Sequence, residues 1–123
     1  MLNFSLKSHD GKEFGAYLAR AKKPNAPAIV IIQEIFGVNA GLRQTADAWA
    51  LAGYHAIVPD LFWRMQPNVD ISDKTDAEWK QAMDFYQKFD KQNGVKDLIT
   101  TLNAARKLEG ANGKAGTMGF CLG

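Results

Sequence analysis

Short runs of apolar residues along the chain have the character of buried β-strands. Ala28–Ile32 is apolar at every position and rich in β-branched side chains, which is typical of a strand covered on both faces of a parallel sheet. Ala56–Val58 is a second such run and is closed by Pro59-Asp60. The pattern predicts a further short strand over Lys114–Met118.

Longer segments between these runs carry apolar side chains at helical spacing. They predict helices over Ala40–Ala52, Asp76–Phe89 and Val95–Leu108, and Asn39 and Gly53 are a suitable cap and stop for the first of them. The expected apolar stripes, in chain order, are Leu42, Ala46, Trp49 and Ala50, then Trp79, Met83, Tyr86 and Phe89, then Leu98, Ile99, Leu102 and Ala105.

The opening segment has the pattern of a hairpin. Phe4 and Leu6 alternate with polar neighbours, Asp10-Gly11 supplies a turn, and Phe14 begins a second extended segment. Strands that alternate with helices predict an α/β fold with a mostly parallel sheet, and the hairpin adds antiparallel strands at one edge. No linker or repeat divides residues 1–123, so we expect a single domain.

Composition and charge narrow the class of protein. A hydrophobic content of 46% fits a globular domain with a buried core, and a net charge of +2 with scattered charges predicts no nucleic-acid partner. The longest apolar run, Ala28–Ile32, is far shorter than the roughly 18 residues of a membrane span. The first residues lack the features of a signal peptide. We therefore expect a soluble cytoplasmic protein with no membrane partner.

The cysteine and histidine content limits the possible metal chemistry. The single cysteine, Cys121, cannot form an internal disulfide, and with His9 and His55 it is too small a set for a structural zinc site. We expect neither a metal nor a cofactor, and any cysteine chemistry must be that of one thiol.

The richest motif is Gly119-Phe-Cys-Leu-Gly123, which directly follows a predicted strand. It has the Gly-x-nucleophile-x-Gly pattern of a nucleophile elbow, with Cys121 where serine is usual. The residues two before and two after a nucleophile on so tight a turn must be small, and the Leu122 amide can then point at a developing oxyanion. The alternative is an inert, buried cysteine in a glycine-rich turn.

Glu34 is the second candidate functional residue. It follows the strand Ala28–Ile32 directly, in the segment Gln33-Glu-Ile-Phe-Gly37. Ligand sites of open α/β sheets lie at the carboxyl ends of the strands, so a carboxylate here is well placed for function. A capping or salt-bridging residue at the start of a loop is the alternative.

Together these motifs make the chain resemble the dienelactone hydrolases of the α/β-hydrolase superfamily. The resemblance is carried by Gln33-Glu-Ile-Phe-Gly-Val-Asn39, by Gly53-Tyr54 and Pro59-Asp60-Leu61 around the second buried strand, and by Gly119-Phe-Cys-Leu-Gly123. It implies an α/β-hydrolase-type sheet and a hydrolase of small esters or lactones that forms an acyl-enzyme.

The resemblance also implies a role for each site residue. Cys121 would be the nucleophile of a Cys-His-Asp triad, and the backbone amides of Ile35 and Leu122 would form the oxyanion hole. Glu34 would contact the resting thiol and help to generate the thiolate when substrate arrives. The family supplies its triad Asp and His from a second half of about equal length, so we expect this chain to be truncated after the nucleophile elbow.

The expected substrate pocket departs from the family pattern. Members that act on dienelactone carry an arginine on the helix corresponding to Asp76–Phe89, and Trp79 occupies that position here. Trp79, Met83 and Tyr86 are therefore candidate substrate-binding residues, with plain core packing as the alternative. Trp63 and Arg64 are further pocket candidates. The expected partner is a small ester or lactone, and the expected assembly is a monomer or a weak homo-oligomer.

Two other classes of function stay open at this point. A non-catalytic binding module would fit the α/β pattern, although the chain has no phosphate-binding glycine loop that follows a strand. A single-thiol redox protein is also compatible with Cys121, although no Cys-x-x-Cys pair is present. Ester turnover that requires Cys121 favours the enzyme, whereas thiol reactivity without turnover favours one of the other two.

Overall fold

Five strands form one mixed sheet in the computed structural model, which describes residues 2–119. The strands are β1 (Phe4–Lys7), β2 (Glu13–Ala19), β3 (Ala26–Ile32), β4 (His55–Pro59) and β5 (Ala111–Gly119). Their order across the sheet is β1-β2-β4-β3-β5, so β1 and β5 are the edge strands. Strand β2 is antiparallel to β1 and β4, whereas β3 is parallel to β4 and β5. The predicted parallel strands with an antiparallel amino-terminal hairpin are confirmed.

The three predicted helices are present as α1 (Ala40–Leu51), α2 (Asp76–Lys88) and α3 (Lys91–Arg106). Asn39 caps α1 as expected, since its side chain accepts a hydrogen bond from the Leu42 amide at 3.1 Å. Helix α3 begins four residues earlier than the hydrophobic pattern indicates. The cause is Asp90, whose carboxylate caps the helix by accepting from the amides of Gln92 and Asn93.

Helices α1 and α3 cover opposite faces of the sheet. Residues Ala28 and Val30 of β3 belong to a core cluster with Ala105 of α3. Their neighbours Ile29 and Ile31 belong to a second cluster, which contains Leu42 and Ala46 of α1. Because side chains alternate along a strand, an all-apolar β3 supplies both cores.

Helix α2 packs against loops rather than on a face of the sheet. A third cluster joins Ala82 of α2 to residues of the segments that follow β3 and β4, namely Ile35, Phe36, Phe62, Val69 and Ile71. These segments leave the carboxyl ends of two parallel strands. Helix α2 therefore packs against the loops at the carboxyl ends of the parallel strands, where a site is expected.

Two expected apolar stripes are wrong in part. Trp79 and Met83 of α2 are 45% and 40% exposed, and Ile99 of α3 is 54% exposed. The packed face of α3 instead includes Asp97 and Thr101, both buried. Hydrophobic periodicity cannot find a face that is built partly from polar side chains with buried partners.

Asp97 is the centre of a polar network that ties three parts of the fold together. It accepts hydrogen bonds from the Trp63 indole at 3.0 Å and from Arg64 at 3.1 Å. Arg64 also binds Asp10 in the hairpin turn at 2.8 Å and lies over the Trp63 ring. Hydrogen bonds from Ser8 and Arg64 hold the pKa of Asp10 well below its ordinary value. Trp63 and Arg64 thus join the hairpin, the segment after β4 and α3.

No helix within residues 2–119 is long and apolar enough to cross a bilayer. Within the same residues, no three histidine, cysteine, aspartate or glutamate side chains lie close enough together to hold a metal ion.

Candidate active site

The carboxyl ends of β3 and β5 define the expected site. The two strands are parallel neighbours, and the last pair in their register is Ile32 with Gly119. Glu34 lies two residues beyond Ile32 in the sequence, and Cys121 lies two residues beyond Gly119. Cys121 and Leu122 fall outside the described residues, so the contacts of the expected nucleophile and of one oxyanion donor are not part of the structure.

Glu34 lines a cavity of about 560 Å³ at the carboxyl ends of the parallel strands. The amino-terminal end of α1 and residues 70–74 complete its wall, and Asp70, Asp73 and Lys74 are its other charged residues. Within residues 2–119 the Glu34 carboxylate forms no salt bridge and accepts no hydrogen bond. The described residues therefore give no support to the alternative that Glu34 is a salt-bridging or capping residue.

A slightly larger cavity, of about 670 Å³, lies at the other end of the sheet. It is lined by the carboxyl-terminal end of α1 and by residues that follow β2, including Arg20, Lys22 and Lys23. The parallel strands begin at this end of the sheet. Neither Glu34 nor the end of β5 lines this cavity. Cavity size alone therefore does not identify the candidate active site.

The loop after Glu34 is rigidly held around Gly37. Gly37 has φ +81°, and a Cβ at this position would lie 2.0 Å from the Val69 carbonyl oxygen. Both features require glycine. The Gly37 amide donates to the Glu34 carbonyl at 3.3 Å, and Gly37 also forms a β-bridge with Asp70. Contacts with the segment that follows β4 thereby hold the peptide that follows Glu34 in place.

Ile35 carries the expected oxyanion donor and is only 4% exposed. Among the described residues, its amide donates to no backbone or side-chain acceptor. Buried amides without a partner are rare in folded proteins. The amide is thus open to an acceptor that residues 2–119 do not supply.

The three expected substrate-binding residues lie in different surroundings. Trp79 packs edge-on against Phe36, with ring centroids 4.9 Å apart, and its indole donates to the Asp73 carbonyl at 2.8 Å. Phe36 and Asp73 both line the Glu34 cavity, so Trp79 supports its wall. Met83 lines a separate cavity of about 580 Å³ that is formed by residues of α2 alone, and Tyr86 packs against the cluster that joins α2 to the loops.

Neither histidine of the sequence lies near the end of β5. His9 is exposed in the hairpin turn, and His55 is buried at the first residue of β4. The register pairs His55 with Ala28 and Ala28 with Ala115. Gly119 is four residues further along β5, which corresponds to about 13 Å. The His55 imidazole accepts a hydrogen bond from the Ala21 amide at 3.0 Å, at the end of the sheet where the parallel strands begin.

Asp60 is a buried carboxyl. In the sequence it is identified only as part of Pro59-Asp60-Leu61, with no role of its own. It accepts hydrogen bonds from the amides of Phe62 at 3.2 Å and Asn68 at 2.8 Å, and so shapes the segment after β4. Burial raises the pKa of Asp60 to about 6, against the smaller opposing effect of these hydrogen bonds. Asp60 lines a cavity of about 200 Å³ together with Arg43 and Asp70.

This pKa predicts how stability depends on pH. Because the folded state holds the Asp60 proton more tightly than the unfolded state, the contribution of Asp60 to the free energy of unfolding should fall as pH rises from about 4 to about 6. The shift of about two pKa units corresponds to roughly 3 kcal/mol. Asp60→Asn cannot titrate, so its stability relative to the parent should improve by about that amount between pH 4 and pH 7. Urea unfolding of both proteins across this range measures the difference, and a constant difference would contradict the assignment.

The strand order and the parallel register of β3 with β4 and β5 are those of an α/β-hydrolase fold, and an acidic cavity lies at the carboxyl ends of these strands. The sequence model of the dienelactone hydrolase family matches residues 14–123. The chain belongs to the dienelactone hydrolase family.

Individual relatives agree with this membership. The chain is 42% identical over 119 residues to a carboxymethylenebutenolidase of Pseudomonas putida and 38% identical over 118 residues to carboxymethylenebutenolidase 1 of Cupriavidus pinatubonensis. These matches cover 97% and 96% of this chain but 50% of each relative. A crystal structure of a candidate dienelactone hydrolase from Klebsiella pneumoniae superposes with a TM-score of 0.77 at 30% identity, over 97% of this chain and 48% of that one. The chain spans about half the length of the curated relatives it matches.

Proposed function

We propose that this chain forms the amino-terminal half of a hydrolase of small carboxylic esters or lactones, with Cys121 as its nucleophile. The second half, corresponding to the part of the relatives that this chain does not cover, supplies the triad Asp and His. The polypeptide that contains both halves is called the complete protein below.

One observation carries the proposal. Glu34 and Cys121 are each two residues beyond the last register pair of two adjacent parallel strands. Adjacent strands are about 4.8 Å apart. This supports a thiol and a carboxylate that meet above the sheet edge, beside a cavity large enough for a small ester.

The proposed reaction proceeds in two steps. The Cys121 thiolate attacks the acyl carbon, and the amides of Ile35 and Leu122 donate hydrogen bonds to the oxygen that becomes negatively charged. The carbon–oxygen bond to the alcohol breaks, and the alcohol leaves with the thiol proton, which Glu34 has passed on to the triad histidine. Water then attacks the thioester while the histidine takes one of its protons. The carbon–sulfur bond breaks, the histidine returns this proton to the Cys121 thiolate, and the carboxylic acid is released and ionises in solution.

Glu34 has a separate role in this scheme. A carboxylate beside a thiolate is repelled by it, so with Glu34 ionised the resting thiol stays protonated. Substrate binding changes the surroundings of the pair, and Glu34 then accepts the thiol proton. The nucleophile is therefore generated only when substrate is present.

The direct test is capture of the acyl-enzyme in the complete protein. After brief reaction with a slowly deacylated phenyl ester and an acid quench, peptide mass spectrometry should place the acyl mass on the Cys121 peptide. The matched control is Cys121→Ala, in which no side chain at this position can carry the acyl group. Rapid alkylation of Cys121 without ester turnover or acyl transfer would instead identify a thiol redox or binding protein.

The charges of the site predict the preferred class of ester. The Glu34 cavity carries the carboxylates of Glu34, Asp70 and Asp73 and the cation Lys74, and Arg43 pairs with Asp70 at 3.1 Å, so the carboxylates outnumber the cations. Trp79 supports the cavity wall where the family's arginine would stand. We expect higher kcat/KM for neutral small esters and lactones than for dienelactone, and we expect Trp79→Arg to favour dienelactone selectively. A hundredfold preference of the parent for dienelactone, roughly 2.7 kcal/mol of transition-state binding, would contradict this expectation.

A further inference from the structure

Gln33 is a fully buried amide at the end of β3, with a relative exposure of 0%. A buried polar side chain is costly unless its groups are hydrogen-bonded. Both ends of the Gln33 amide are satisfied. Its oxygen accepts from the Leu61 amide at 2.7 Å, and its nitrogen donates to the Glu34 carbonyl at 3.1 Å.

The bond to Glu34 fixes the orientation of a neighbouring amide. The Glu34 carbonyl and the Ile35 N–H belong to the same planar trans peptide, in which they point in opposite directions. The Gly37 amide holds the same carbonyl at 3.3 Å. Two donors on the Glu34 carbonyl therefore aim the Ile35 N–H, which itself has no acceptor among the described residues.

The other end of Gln33 is anchored in a rigid segment. Leu61 follows Asp60, whose carboxylate accepts from the Phe62 and Asn68 amides. The Gln33 side chain is thus a strut between the segment after β4 and the peptide after Glu34. A strut of this kind keeps the 34–35 peptide from rotating, both when an oxyanion is bound to the Ile35 amide and when it is not.

We propose that Gln33 is a positioning residue, which holds the Ile35 N–H in the direction needed to stabilise the oxyanion. The assignment rests on the proposed function, because it requires Ile35 to be an oxyanion donor. Loss of one such donor typically lowers kcat by 10²–10³. A misdirected donor retains part of its effect, so removal of the strut should cost about 10–100-fold in kcat.

The test uses Gln33→Met in the complete protein. Methionine has a similar length but cannot bond to Leu61 or Glu34. We expect kcat, counted per site that forms acyl-Cys121, to fall about 10–100-fold while KM changes less than about threefold. The matched control is Thr101→Val, which removes a buried 2.7 Å hydrogen bond to the Asp97 carbonyl within α3, separate from the hydrogen bonds of Gln33. It should lower the melting temperature and leave kcat unchanged.

Gln33→Glu provides a second readout that a purely structural role would not give. Burial raises the pKa of a carboxyl, and in its protonated form the introduced group can both accept from Leu61 and donate to the Glu34 carbonyl. The ratio of variant to parent kcat should therefore approach one at the acidic end of the activity profile and fall as pH rises. Glu34 and Asp60 are the titratable residues on the segments that Gln33 contacts. The comparison is therefore repeated in the Asp60→Asn background, which removes the titration of Asp60 from the ratio.

The outcomes separate the two proposals. If the parent turns over esters through acyl-Cys121 but Gln33→Met keeps its kcat, or Gln33→Glu follows the parent profile, the positioning role is overturned and the proposed function stands. If the parent forms no acyl-Cys121, both are overturned. If Gln33→Met does not fold, the pH ratio of Gln33→Glu decides.

Discussion

A polypeptide restricted to these 123 residues is expected to show no saturable ester hydrolysis. Acyl transfer by a thiol needs a general base that also protonates the leaving group. His9 lies in the hairpin turn and His55 at the opposite end of the parallel strands, so neither can serve an oxyanion formed beyond β5. Loss of the triad histidine alone can cost about six decades in kcat.

The measurement is hydrolysis of p-nitrophenyl acetate by material whose intact mass is verified. Circular dichroism and alkylation of Cys121 show whether the chain is folded and its thiol reactive. The complete protein is the positive control. Saturable turnover by the 123-residue species that disappears in its Cys121→Ala variant would contradict the expectation and would require a base within these residues.

Glu34→Gln in the complete protein should lower turnover by roughly two to four decades, the usual effect of losing a general base. Glutamine keeps the size and hydrogen-bonding capacity of the side chain but removes its charge and its ability to take a proton. Since the Glu34 carboxylate forms no salt bridge within residues 2–119, this change should leave stability nearly unaltered. Equal melting temperatures would therefore assign the loss to chemistry.

Alkylation of the resting thiol gives an independent reading of the same pair. Iodoacetamide should react slowly with Cys121 of the parent near neutral pH, because the ionised Glu34 disfavours the thiolate. The rate should change in Glu34→Gln. Asp73→Asn removes a different carboxylate from the same cavity, one that also forms no salt bridge within residues 2–119; it is the matched control and should leave the alkylation rate nearly unaltered. If both turnover and alkylation are unaffected by Glu34→Gln, Glu34 is only a loop residue.

The sequence predicts the elements of this fold well where apolar side chains decide them. Ile29 and Val30 face opposite cores, and the all-apolar run to which they belong reveals a doubly covered strand. The helix stripes fail where polar groups decide the packing. Asp97 takes a core position on α3 because Trp63 and Arg64 satisfy it, and no periodicity of hydrophobic residues contains that information.

The candidate site shows the same division. Glu34 could be predicted from its place after a buried strand, because strand ends and sheet edges are local properties of the sequence. The strut from Gln33 to Leu61 joins residues 28 positions apart in the sequence, and the bonds of Asp60 fix one end of it. Such contacts depend on the parallel pairing of β3 and β4, so only the folded arrangement reveals them.

The edge position of β5 has a consequence for biosynthesis. In the described structure β5 pairs with β3 on one side only, and its nine residues are mostly exposed. An open strand edge can pair with other chains. If the relatives' second half is synthesised after this one, at about 5–20 residues per second, the edge waits on the order of ten seconds for its partner. Translation speed and chaperone supply would then limit the yield of native protein, and substitutions in β5 that add charge to its edge would reduce coaggregation of nascent chains.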